Sequence, residues 1–373
     1  MVKLLKFIPY SFLYFGQITH QSTKQENMSE KNYITCRKCS LALIFMLFLQ
    51  YVDAQDFNNL QTILKSNGKT LGKQYTVVVQ KGGKNIFLAE TDELKLKVPT
   101  PIGHASAWIS AALVMTFVDQ NKLSLDDPIA KYLPDFKKNM KGYITVKHCL
   151  TQTTGLDADA SGMMKAASKN KFLTLEEEAA FYATKKLIVD NPGDAFSYSS
   201  VGLNILGRVL EVISKKSFDR LAAERIFRPL GMRTASFFNE DGNAPNPTSG
   251  ASCSAFDYLN FMQMFTNKGM FMGKRVLSEN AIQTLLTIHY PDQRIRYSPE
   301  GSNGIKYAMG SWVQEINEDG KGNIYSAWGP TGATAWMNVN RNYFAAIFSS
   351  ELQNGQRMQL INQLRQLIDE QFE

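Results

Sequence analysis

A serine hydroxyl or an imidazole becomes a nucleophile only beside a group that moves its proton, so residue type and spacing are read together. Ser66-Asn-Gly-Lys69 and Ser168-Lys-Asn-Lys171 both spell Ser-x-x-Lys, the pattern in which a Lys one helical turn on takes the Ser proton. The first lies ahead of a predicted hairpin and the second inside a helical stretch. A four-letter pattern with two free positions also arises readily by chance. His104 opens a long apolar helix. The dipole of a helix N-terminus disfavours an imidazolium, which leaves a neutral ring able to act as base or nucleophile, or simply to fill space. The other histidines, His20, His148 and His289, lack metal-ligand spacing, and no metal or other cofactor is expected. Cys36 and Cys39 have the spacing of a metal or redox pair, yet they sit beside an export-like apolar run, where chance is the better reading. Cys149 and Cys253 either pair in an oxidising compartment or remain buried thiols.

The elements that would position these groups follow from periodicity. Residues 57–66 have helical spacing, with Phe57, Leu60, Ile63 and Leu64 on one face. Residues 75–80 and 85–89 read as strands around a Gly82-Gly83 turn. Residues 105–121 are apolar on nearly every face, which belongs to a helix at the centre of a domain. Asp126-Asp127-Pro128 is expected to cap a short helix that Pro134 ends. Helical periods recur at 203–213, 217–227, 255–266 and 278–288, with a loop at 243–249. Strand patterns return at 307–316, 322–328, 334–339 and 343–349, the last two joined by an Asn340-Arg341-Asn342 turn. Met358, Ile361, Leu364, Leu367 and Ile368 give a final amphipathic helix. The order predicts an α/β (α+β) domain in which N- and C-terminal segments share one antiparallel sheet, with a mostly helical insertion over about 145–290.

Several segments, in order and at their spacings, resemble the serine β-lactamase, penicillin-binding protein and esterase superfamily, most closely its class C branch. They are Lys122-Leu-Ser-Leu-Asp-Asp-Pro128 with Lys131-Tyr-Leu-Pro134, and Ile144-Thr-Val-Lys-His-Cys-Leu-Thr-Gln-Thr-Thr-Gly-Leu156. Pro192-Gly193 with Phe196-Ser-Tyr198, Arg228-Pro-Leu-Gly-Met232 and Asp257-Tyr-Leu-Asn-Phe-Met262 complete the set. The resemblance runs from about 74 to 372 and implies a β-lactamase/transpeptidase-like fold and acyl-transfer chemistry. It places His104 where the family has its nucleophilic Ser, and Ala107 where it has the Lys base. Tyr198 matches the proton-relaying Tyr of a Tyr-x-Asn or Tyr-x-Ser motif, with Ser200 in its last place. Pro330-Thr331-Gly332 matches the triplet that holds a substrate carboxylate, but Pro replaces its cation or imidazole. Ala333 follows with the second oxyanion-hole N–H. Ser106, two residues past His104, points about 200° away around the helix and does not replace the missing Ser.

The chain has 373 residues and a net charge of +7, with 44% hydrophobic and 11% aromatic residues. The first 54 residues hold six Lys/Arg and three Asp/Glu, leaving 35 basic against 31 acidic residues beyond. No basic run is interleaved with aromatics, so nucleic-acid binding is not expected. Lys31, Arg37 and Lys38 precede an apolar run at 41–49, and Val52-Asp53-Ala54 follows with small residues. This reads as a signal peptide, with 55–373 as the mature domain and Met28 as a more natural start. The expected destination is the periplasm or exterior, with membrane attachment only through an uncleaved signal. Two functions stay open. One is a non-hydrolytic binding domain, whose ligand would be a peptidoglycan-like peptide or a small ester or amide. The other is a hydrolase of such substrates that works through His104 and Tyr198.

Overall fold

In this computed structural model, residues 57–157, 172–238, 241–290, 292–302, 304–329, 332–349 and 355–372 are described. The export-like segment, Cys36, Cys39, His20, Ser168, Lys171, Pro330 and Thr331 lie outside them. The chain starts with α1 (Asn58–Leu71) and the hairpin β1 (Tyr75–Lys81) and β2 (Lys84–Glu90). Its turn needs left-handed backbone at two successive residues, and Gly82 and Gly83 supply φ of 57° and 76°. A short strand, β3 (Thr100–Pro101), leads to the central helix α2 (Ser106–Val118), of which every residue but Val118 is buried. A 3-10 turn at Ile129–Lys131, α3 (Pro134–Lys138), α4 (Val146–Leu150) and α5 (Leu175–Lys185) follow. Then come β4 (Ala195–Ser197), α6 (Val201–Ser214), α7 (Phe218–Ala222), β5 (Ser252–Cys253) and α8 (Ala255–Thr266). A hairpin of β6 (Met270–Phe271) and β7 (Lys274–Arg275), then α9 (Glu279–Leu286) and β8 (Arg294–Tyr297), end this half. The chain closes with β9 (Lys306–Tyr307), β10 (Trp312–Ile316), β11 (Gly322–Ala327), β12 (Thr334–Asn338), β13 (Tyr343–Ser349) and α10 (Gly355–Glu370).

Seven strands form one sheet in the order β2-β1-β13-β12-β11-β10-β9, every pair antiparallel. The first and last strands of the chain pair inside this sheet, second and third from one edge, with Tyr75 opposite Ser349 and Lys81 opposite Tyr343. Alternation along a strand sends successive side chains to opposite faces. Val77, Val79, Ala345 and Ile347 therefore join Leu60, Leu64, Leu364 and Ile368 of α1 and α10 on one face. Val78, Ala346 and Phe348 enter the larger core that holds α2, α6 and α8 on the other. Fully burying each of these Val, Leu, Ile and Phe side chains stabilises the fold by roughly 1.5–3 kcal/mol. This uniform burial explains why α2 carries no polar stripe.

Three local expectations are corrected. Pro134 begins α3 rather than ending a helix, because proline at the first helical position loses no hydrogen bond. Asp127 does not cap the turn that follows: its carboxylate takes the Ser124 N–H, the Tyr132 hydroxyl and the Lys131 ammonium. These donors hold its pKa down against a partial burial that raises it. The helical period at 217–227 breaks after Ala222 into a π-turn over Ala223–Phe227. The middle of the chain is also less purely helical than its periodicity suggests. It contains β4, paired in parallel with β8, and β5, paired with β3. Cys149 and Cys253 are buried free thiols.

Candidate active site

His104 sits at the mouth of α2, where its carbonyl accepts the Ala107 N–H at 3.1 Å. The Tyr258 hydroxyl fixes the next carbonyl, Ala105, at 2.9 Å. Tyr258 lies in a motif that sequence reading used only to recognise the fold, although an Asp-Tyr pair at a helix start carries a visible polar handle. The His104 side chain is 6% exposed and lies on the backbone of Gly329, where a Cβ would come within 2.4 Å of its own Cβ. Burial lowers the imidazole pKa to about 4, so the ring is neutral at neutral pH. Ala107 is 1% exposed and offers no base.

Tyr198 lies beside His104, with ring centroids 5.8 Å apart at 37°. The parallel β4–β8 pairing puts it there: the Tyr198 N–H continues the ladder to the Tyr297 carbonyl at 3.1 Å. Gln152 ties the same segment from the other side. Its carbonyl accepts the Ser197 N–H at 2.9 Å and its Oε1 accepts the Ser199 N–H at 3.0 Å. In the sequence Gln152 is only one letter of the Ile144–Leu156 motif; in the fold it makes this double contact from left-handed backbone, φ 62°. Tyr198 packs with Phe196, Tyr307 and Trp312, and Trp312 stacks on Trp328 at 5.0 Å. Burial, and then the neighbouring Tyr307, raise the Tyr198 phenol well above its ordinary value. The phenol therefore stays protonated at neutral pH.

Ser200 is half-buried and turned toward a polar network of the helical half. Its carbonyl accepts from Thr248 at 3.2 Å and its hydroxyl acts on the Tyr182 phenol. Tyr182 and Asn204 in turn donate to the buried Glu178 carboxylate at 2.5 and 2.8 Å.

Gly332, the described residue of the triplet, meets the start of α2 directly. Gly332 faces Gly103 in an antiparallel bridge, with φ 84°, and a Cβ there would lie 2.2 Å from the Ile102 carbonyl. One residue on, the Ala333 N–H donates to the Ile102 carbonyl at 3.1 Å. The group expected to stabilise an oxyanion is thus already engaged. Of the alternative serines, Ser168 lies outside the described residues, and Ser106 and Ser66 are engaged elsewhere. The Ser106 hydroxyl donates to Gly103 O and accepts from Ala251 N. Ser66 bonds to its own helix, α1, whose apolar face packs on the opposite side of the sheet. Among the described residues no three His, Cys, Asp or Glu side chains converge as a metal site would require.

These features have known counterparts. A family model described as Beta-lactamase matches residues 97–370. A Bacteroides dorei β-lactamase candidate is similar in structure, with TM-score 0.70 and 25% identity over 80% of this chain and 92% of that one. A penicillin-binding protein homologue from Pyrococcus abyssi shares the fold, with TM-score 0.67 and 20% identity over 84% of this chain and 77% of its own. Protein flp of Staphylococcus aureus is 28% identical over 131 residues, a third of this chain. The match spans only about a quarter of that relative's length (25%). With the sheet, the central helix and the Tyr198 segment placed as described, the match over residues 97–370 makes this chain a member of the β-lactamase family.

Proposed function

We propose that this chain is an exported, non-hydrolytic member of the β-lactamase family that binds rather than cleaves. The ligand class is a peptidoglycan-like peptide or a small ester or amide. The observation that carries the reading is the start of α2. His104 and Ala107 stand where acyl transfer needs a hydroxyl and an amine, and the neighbouring Ala333 N–H is bonded to Ile102 O. Nucleophile, base and one oxyanion donor supply most of the rate in this chemistry, and the fold alone does not replace them. Pro330 removes the cation that would anchor a substrate carboxylate. Export rests on the basic residues and apolar run ahead of residue 55. Among the described residues no helix is long and apolar enough to cross a membrane.

A second reading, hydrolysis with His104 as base or nucleophile, draws on the neutral imidazole beside the Tyr198 ring. Incubation with a fluorescent penicillin and with an activated ester, followed by intact-mass analysis, separates the two. The binding reading expects neither a covalent adduct nor release of the ester's leaving group above a denatured control, and either result ends it.

A further inference from the structure

The start of α4 carries an unusual cap. Thr145 precedes the helix, and its hydroxyl accepts the His148 N–H at 3.3 Å. In return His148 Nδ1 accepts the Thr145 N–H at 3.1 Å, closing a reciprocal capping box. That third position is ordinarily filled by Glu or Gln, whose side-chain oxygen is an acceptor throughout the neutral range. An imidazole is an acceptor at Nδ1 only while that nitrogen lacks a proton. The cap therefore requires the neutral ring protonated at Nε2. A proton on Nδ1 would set two donors against each other.

The cap is connected to the candidate active site by a short run of hydrogen bonds. The His148 carbonyl accepts the Thr153 N–H, and the Thr153 carbonyl accepts the Gly193 N–H, each at 2.9 Å. Gln152, between them, holds Ser197 and Ser199 on either side of Tyr198. We propose that the α4 capping box is a proton-operated latch: protonation of His148 removes the acceptor for the Thr145 N–H and loosens the segment that carries Tyr198.

The surroundings of the ring favour the neutral form. On its own helix, Lys147 is paired with Asp126 from the preceding loop at 2.8 Å. From the loop after α9, Tyr290 lies against the ring at 6.1 Å, and the adjacent His289 is bonded to the Thr284 carbonyl. The third wall is the Pro192-Gly193 turn, where a Gly193 Cβ would meet His148 Nε2 at 3.5 Å. The carboxylate of that turn, Asp194, is held by Asn191. Burial, then Lys147, depress the His148 pKa, and Asp126 opposes them more weakly.

The test is His148→Gln, which keeps a capping acceptor and removes the titration. Hydrogen exchange is followed by mass spectrometry on the full chain at pH 7 and pH 5, corrected for intrinsic rates. In the parent, opening of residues 145–153 and 194–199 is expected to rise together, by about tenfold for each pH unit that separates the folded and unfolded pKa values. In H148Q the His148-linked part of that rise is lost. Equal rises in both proteins would overturn the latch, and opening of 145–153 without 194–199 would sever it from Tyr198. Should H148Q fail to fold, ¹⁵N shifts of the parent imidazole decide: an Nδ1–H tautomer at pH 7 refutes the cap.

Discussion

Restoring the missing chemistry is the sharpest test of why this protein should be inert. The perturbation is His104→Ser with Ala107→Lys. It returns a hydroxyl to the start of α2 and an amine one turn later. Residue 107 is 1% exposed, and burial disfavours an ammonium, so the new amine would be the neutral base the reaction needs. Tyr198 already lies against residue 104. What the double substitution does not repair is the Ala333 N–H, which donates to the Ile102 carbonyl at 3.1 Å. Losing a nucleophile costs on the order of 10⁶ in kcat in a serine hydrolase. Withholding one oxyanion donor costs about 10²–10³. The repaired protein should therefore exceed the parent by roughly 10³–10⁴-fold, well short of full recovery. The assay is hydrolysis of a p-nitrophenyl ester, with peptide mapping of the acylated residue. If repaired and parent proteins turn over ester equally, or the adduct maps away from residue 104, the reasoning fails.

Further outcomes follow from single contacts. His104 has a folded pKa of about 4, below the ordinary 6.5, so its contribution to stability is complete above pH 6.5 and is lost as pH falls toward 4. That loss is about 3 kcal/mol at roughly 1.4 kcal/mol per unit, and urea unfolding of parent and His104→Asn at pH 7 and 4 should show it as a shallower acid dependence in the variant. Gly332→Ala puts a Cβ against the Ile102 carbonyl at a left-handed φ and should destabilise by about 2–4 kcal/mol in chemical denaturation. An unchanged midpoint would mean that the Gly103–Gly332 contact is absent in solution. Tyr258→Phe strips the buried donor from the Ala105 carbonyl and should cost about 1–3 kcal/mol by the same measurement, with ligand-independent folding retained.

Much of the fold could be read from apolar periodicity because long, regular elements write their burial into it. The period over 255–266 coincides with α8, and the strand patterns at 75–80, 334–339 and 343–349 become β1, β12 and β13 within a residue. Elements of two to four residues leave no such trace. The β3–β5 and β4–β8 pairings join segments some 150 and 100 residues apart, and partner choice at that range depends on what the surrounding helices leave uncovered. Gln152 was illegible for the same reason, since its role is defined by backbone groups of Ser197 and Ser199.

By itself the sequence determined which side chains exist at the positions proposed to correspond to the family's catalytic residues. No packing can supply a hydroxyl at His104 or an amine at Ala107, and a Pro at 330 carries no charge. It also determined an apolar central helix that had to be enclosed by a sheet and helices. The tertiary structure decided the condition of what remained. It set the His104 ring against Tyr198 and Gly329, turned Ser200 toward the Tyr182–Glu178 network, and joined Ala333 N–H to Ile102 O. Each of these is a contact between residues remote in the chain. A backbone N–H is present at almost every residue, so whether it is free to meet an oxyanion depends only on which acceptor the fold brings to it.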